Sequence, residues 1–364
     1  MKKTIINSVF LLVCMPFLRA NENPAFEPVL PDTDDVEIRI IDVGNGLCSV
    51  ISMPGDHYIV YDAGSRKDKG KSAMIGLRKS IPRGKHIDLL VLSHPDDEHI
   101  GAADSIILKY QPDKVLRTGY IANPKKDSTD ALKRLAAALK KSKNVQDINL
   151  NAEGRNIKPG WSMTFGEAKA IFLCGFGKPQ KEWDLKKDVE SVLDALSIVM
   201  RFEYKERSVL FCGDALGWNE KLDDTECIAE EKYIVQNVPD KLVKSDVIIA
   251  SQGGGITGSS FPFVRKVNPE FVIFPAGSSK SRAEPRYVIV DRFVDSGTSV
   301  NNMFRTDRGD GFNYYPKPNV KPKQWDKEAV EKCVDKTGDD DVRIVISNSG
   351  ALKVSYYQYK DSCR

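Results

Sequence analysis

VLSHPDDEHIGA, residues 91–102, packs two histidines and three carboxylates into the six positions from His94 to His99, directly after the mostly apolar run Ile87 to Leu92. The chain has only four histidines in 364 residues, so half of them fall on this one turn. Downstream, Ile100, Ala103, Ile106 and Ile107 recur at amphipathic-helix spacing, and the stretch reads as strand, loop, helix. Loops that leave the C-terminal end of a strand in a layered α/β sheet are where ligands usually bind. Imidazole and carboxylate together hold a divalent ion, and water on such an ion is a nucleophile near neutral pH. The same letters also describe a charged turn, with Asp96 or Asp97 capping a helix that begins near His99.

Working outward, VEIRIIDVGNGLCSVISM (36–53) and HYIVYDAG (57–64) are strands punctuated by Gly and Asp. Beyond the turn come a strand at 114–120 and a helix over 128–143 capped by Ser128 or Thr129. Strands follow through 163–176, then LSIVMRFEY (196–204), a turn at Lys205-Glu206, and SVLFCGDA (208–215). A mostly helical stretch 217–244 precedes a strand from 246, a helix at 260–267, a strand at 270–277 and a helix at 284–296. Strands and helices interleave throughout, so the class is α/β or α+β with layered sheets. Residues 313–340 are rich in Pro, Lys and Asp and read as a linker. The chain closes with a hairpin in 342–359 that turns at Asn348 to Gly350.

Composition is that of a globular chain, 41% hydrophobic and 29% charged. The first 20 residues carry Lys2 and Lys3, an apolar stretch from about Thr4 to Leu18, then Arg19-Ala20, the layout of a secretory signal peptide. That stretch is short beside the roughly 20 residues of a bilayer span. We expect export to the periplasm or medium, cleavage after Ala20 and no membrane association afterwards. Cleavage removes three basic and no acidic side chains, which lowers the 54 basic residues to the number of acidic ones, 51. A neutral mature chain excludes net basic charge as a reason to expect a nucleic-acid partner. Cys48, Cys174, Cys212, Cys227, Cys333 and Cys363 remain, an even number that permits disulfides but forms no CxxC motif. Cys333 with Cys363 is the pair expected first, and Cys212, two residues before Asp214, is expected in the core.

Four stretches carry a resemblance to the metallo-β-lactamase superfamily, and within it to the hydrolase domain of the DNA-internalisation competence protein ComEC. They are IRIIDVGNGLCSVISMPGDHYIVYDAG (38–64), LSHPDDEHIGA (92–102), LSIVMRFEYKERSVLFCGDA (196–215) and RTDRGDG (305–311). The resemblance implies an αββα sandwich over 36–312, after a signal peptide (1–20) and a polar leader (21–35), with 313–364 as linker and hairpin extension. It implies that His94 and Asp96 serve a first metal, that Glu98 and His99 serve a second, and that Asp214 bridges them. Asp42 and Asp62 would orient the loop. One or two divalent ions are implied, zinc first, with manganese or magnesium where carboxylates take over.

The chain departs from that pattern where the superfamily carries later histidines. Ser251-Gln252-Gly253-Gly254 stands in place of a histidine-rich loop, Glu284-Pro285 in place of a late His-Pro, and no histidine follows His99. Gln252 and Glu284 are therefore the candidate replacement ligands, and Glu98 and Asp97 the candidate acid–base groups. Lys280 and Arg282 in GSSKSR (277–282) are candidate contacts for an anionic substrate.

HPDDE also resembles the signature of LmbE-like, PIG-L-type zinc deacetylases, but nothing after His99 supplies the later imidazole such a site needs. The expected activity is metal-dependent hydrolysis of phosphodiester bonds, in nucleic acid or small molecules. A catalytically impaired binding module is the alternative, and a lactam or lactone hydrolase a further one.

Overall fold

Strand Leu89–Leu92 buries every side chain, Leu89 and Val91 in one apolar cluster and Leu90 and Leu92 in another. A strand buried on both faces belongs inside a layered fold. A computed structural model describes residues 34–64, 68–124, 127–183, 185, 189–219, 221–277, 284–307 and 340–357, and it shows those layers.

In chain order the strands are β1 (Val36–Ile40), β2 (Ser49–Met53), β3 (His57–Tyr61), β4 (Leu89–Leu92), β5 (Lys114–Arg117), β6 (Gln146–Asn149), β7 (Trp161–Phe165), β8 (Ala168–Cys174), β9 (Val199–Tyr204), β10 (Arg207–Phe211), β11 (Val247–Ile249), β12 (Phe271–Phe274), β13 (Met303–Arg305), β14 (Val342–Ile346) and β15 (Leu352–Tyr356). The helices are α1 (Lys71–Ser80), α2 (Asp97–Ile100), α3 (Ala103–Tyr110), α4 (Asp130–Lys141), α5 (Val189–Asp194), α6 (Ala229–Asn237), α7 (Asp240–Val243), α8 (Phe261–Val267) and α9 (Tyr287–Asp295). One sheet has eight strands in the order β15-β14-β1-β2-β3-β4-β5-β6, the other seven in the order β13-β12-β11-β10-β9-β8-β7.

The central core lies between the sheets, where Ile38, Ile59 and Val91 of the first meet Phe172, Phe202 and Phe211 of the second. Their intervening residues face outward: Val60 and Leu90 pack under Leu77, Ile106 and Leu135 of α1, α3 and α4. On the other side Leu210, Ile248 and Val272 pack under Ile234, Phe263 and Phe293 of α6, α8 and α9. This is the four-layer αββα sandwich. Within it β3 to β6 run parallel, as do β10 to β13, so their C-terminal ends gather the functional loops. Among the described residues no helix is long and apolar enough to cross a membrane. Residues 1–33, which include the expected signal peptide, lie outside the described set.

Two local expectations change. The helix expected from His99 starts at Asp97, capped by Asp96, whose Oδ1 accepts from Glu98 N at 3.0 Å. It breaks at Gly101-Ala102 because Ala102 N donates to Ala63 O of the β3 turn at 2.8 Å. The C-terminal hairpin, expected as an extension beyond 36–312, is part of the first sheet: β14 pairs antiparallel with β1 from Val36↔Ile346 to Ile40↔Val342. Val342, Ile344 and Ile346 alternate into the central core, which pins that register.

Arg39 of β1 and Asp341 beside β14 lock the pairing through a 3.1 Å ion pair that is 3% exposed at each end. Replacing Asp341 by Ala leaves a buried guanidinium without its carboxylate. Urea unfolding of the variant is expected to show a loss of about 3–5 kcal/mol, the usual cost of breaking one side of a buried pair.

Candidate metal centre

Asp62 ends β3 with φ 60°, a left-handed conformation in which Asp is enriched over most residues, and it is completely buried. Its carboxylate accepts from Ser93 N at 2.7 Å, from Ser93 Oγ at 2.8 Å, and from His99 Nδ1 at 2.8 Å. These bonds decide both imidazole tautomers. His99 spends its Nδ1 proton on Asp62 and presents Nε2 to Asp214 Oδ1, 3.2 Å away. Because the Ser93 hydroxyl proton is also spent on Asp62, Ser93 Oγ accepts from His94 Nδ1 at 2.9 Å. His94 Nε2 is then a bare lone pair.

That nitrogen is buried, has no hydrogen-bond partner, and lies 3.7 Å from both Asp194 Oδ1 and Asp214 Oδ2. The two imidazole rings stand 4.2 Å apart, centroid to centroid. Ligand atoms of His94, His99 and Asp214 all fall within 4.8 Å of one another, a spacing one divalent ion satisfies. The orphaned nitrogen and the mixed nitrogen–oxygen donors fit a metal.

Backbone packing supports the cluster. At Gly46 (φ 113°) a Cβ would lie 2.1 Å from Glu98 O, so glycine is what lets the β1–β2 turn rest on the metal loop. At Gly213, next to Asp214, a Cβ would lie 2.8 Å from that of Ser93.

The remaining candidates are dispersed. Asp96 caps α2, as described. The Asp97 carboxylate accepts from Thr129 Oγ1 at 2.6 Å, at the start of α4, which ties it to a helix cap. Glu98, Gln252 and Glu284 line an open cleft of about 240 Å³ above the cluster. Asp42 Oδ1 accepts from Gly44 N within its own turn, and Asp42 N donates to Asp341 Oδ1 at 2.9 Å. Lys280 and Arg282 lie outside the described residues, as do Cys333 and Cys363. Cys48, Cys174, Cys212 and Cys227 are free thiols, and Cys212 is buried against the outer helices.

Asp194, at the end of α5, is the group that sequence reasoning missed. It is 6% exposed, and its Oδ2 accepts from Gln252 Nε2 at 2.9 Å. The signal available was a carboxylate at a helix C-terminus, where the helix dipole disfavours it. Burial, followed by the charges of Asp214 and Asp96, holds its carboxyl well above the usual range. Among the described residues the cleft brings together Glu98, Glu190, Asp194, Asp214 and Glu284 with one guanidinium, that of Arg286. The other two histidines belong to an exposed cluster. There the oxygens of Asp88 hold His57 Nδ1 at 2.8 Å and Tyr58 N at 2.7 Å, while His86 Nε2 lies 3.7 Å from Asp113.

Residues 41–166 match the model of the metallo-beta-lactamase superfamily. The matched stretch includes His94 and His99 and stops short of Asp194 and Asp214. Among curated proteins the chain is similar to Recombination protein 2 of Haemophilus influenzae, 25% identical over 267 residues that cover 73% of this chain and 27% of that protein. It therefore spans about a quarter of the length of this relative. Similar solved structures include the metallo-beta-lactamase fold protein YhfI from Bacillus subtilis (TM-score 0.41, 10% identity, 75% of this chain and 96% of that one). Human tRNase Z, short form, is another (0.40, 12%, 68% and 94%), and unliganded yeast PDE1 a third (0.40, 12%, 74% and 97%).

Burial pushes the His99 imidazolium down, but the Asp214 and Asp62 carboxylates outweigh it and raise it well above the ordinary value. Burial and the charge of His99 lower His94. An arriving metal ion must displace the His99 proton, so affinity falls as pH falls. Calorimetric titration in buffers of differing ionisation heat is expected to show proton release on ion binding and tighter binding at pH 8 than at pH 6.

Proposed function

We propose that this chain is an exported metal-dependent hydrolase that cleaves phosphodiester bonds, with nucleic acid among its substrates. The observation that carries the proposal is the convergence of His94, His99 and Asp214 around a buried, unbonded Nε2 at the foot of an open cleft. A divalent ion held there supplies Lewis acidity and makes water acidic enough to attack near neutral pH. The chain itself contributes orientation. Asp62 aims His99, Ser93 aims His94, and His94 Nε2 is buried with no hydrogen-bond partner. Glu98 on the cleft wall is the carboxylate in position to take a proton, and Arg286 is the wall cation that meets an anionic phosphate. Phosphodiester chemistry draws support from the likeness to a protein named for recombination. Export draws support from the pattern of residues 1–20.

The second reading, a binding module without turnover, is favoured by one observation: among its described residues the cleft carries more acidic than basic side chains, a poor match for a polyanion. Metal analysis of the purified mature chain, followed by assays on bis(p-nitrophenyl) phosphate, single-stranded DNA, a lactam and a lactone with added zinc or manganese, separates the two. Stoichiometric metal and phosphodiester cleavage that His94→Ala abolishes without loss of fold are expected. Metal without turnover on any substrate selects the binding module, and turnover that survives in His94→Ala overturns the proposed centre.

A further inference from the structure

We infer that Asp194 completes the metal set as a fourth ligand, and that Gln252 is its positioning residue rather than a ligand. The inference rests on the metal-hydrolase reading above. His94 Nε2 stands at the same distance, 3.7 Å, from an oxygen of Asp194 and an oxygen of Asp214, so two carboxylates flank one bare nitrogen in a buried pocket. Asp194 Oδ1 faces that nitrogen, while Oδ2 is taken by Gln252 Nε2 at 2.9 Å.

The Gln252 amide is spoken for at both ends, since its Oε1 accepts from Thr257 Oγ1. With its NH₂ donating to Asp194 and its oxygen accepting from a hydroxyl, the side chain is held in one orientation, its amide nitrogen toward Asp194. Its backbone is placed by the same elements: Gln252 N donates to Gly213 O, one residue before Asp214, and φ is 53°. The Ser251–Gly254 turn therefore serves the metal set indirectly, holding Asp194 and the Gly213-Asp214 strand end in one arrangement.

Two imidazoles and two carboxylates with no thiolate form a harder donor set than histidines alone. That set favours manganese or ferrous iron more than a histidine-only set would.

The test is equilibrium binding of Zn²⁺ and Mn²⁺ to the full chain, by competition with a chromophoric chelator, with Mn²⁺ electron paramagnetic resonance as a second readout. Asp194→Asn is close to isosteric. Gln252→Asn suits the left-handed backbone but is one methylene too short to reach Asp194. Asp194→Asn is expected to weaken Mn²⁺ more than Zn²⁺ and by more than 100-fold. Gln252→Asn should cost about 10–100-fold, as loss of an outer partner of a ligand does, and should change the Mn²⁺ line shape while the unfolding midpoint stays put. The inference is overturned if Asp194→Asn binds both ions like the parent while His94→Ala does not, or if Glu284→Ala is the variant that loses the ion. Failure of His94→Ala to weaken binding overturns the metal-hydrolase reading itself, and this inference with it.

Discussion

One buried carboxylate organises the site. Asp62 takes its charge into a fully enclosed position, where an ionised group is tolerated only if donors surround it. Three do: a backbone N–H and a hydroxyl from Ser93 and a ring N–H from His99. Each bond removes a freedom from the metal loop. The first fixes where β4 ends, the second leaves Ser93 able only to accept from His94, and the third sets the His99 tautomer. A position coded on β3 thus decides which nitrogens of two other residues face the ion.

The same few residues join the two sheets. Ser93 O accepts from Ile198 N at 3.0 Å, and the Tyr61 hydroxyl, one residue before Asp62, donates to Ile198 O at 2.6 Å. Ser197, adjacent in the chain, places its Oγ 3.4 Å from His94 Nδ1 and accepts from Asp214 N at 3.1 Å. Sheet packing and ligand placement are therefore one constraint. A shift of the second sheet against the first would carry Asp194 and Asp214 away from the histidines together.

The layers were legible because burial follows residue alternation: Leu89 to Leu92 is apolar throughout, as a strand covered on both faces must be. The place of the C-terminal hairpin was not legible. β14 meets β1 across some 300 residues of chain, and nothing local distinguishes an edge strand of this sheet from a free hairpin. In the site, His94 and His99 stood out because they share one turn and follow a strand. Asp194 did not, because its partners come from other elements. Gln252 stands where the resemblance implies histidine, which is a signal of position alone. Its amide turns to a carboxylate that composition could not place beside it, and Asp97 is likewise drawn off by Thr129 of a helix that begins 32 residues later.

Charge balance narrows what such a cleft can accept. Asp194 and Asp214 on the floor would bring the two charges that a single divalent ion cancels. Glu98, Glu190, Glu284 and Arg286 stand among the described residues of the wall. Anything that reaches the floor passes those side chains, so the charge on the wall as well as the donors on the floor decides what the cleft admits.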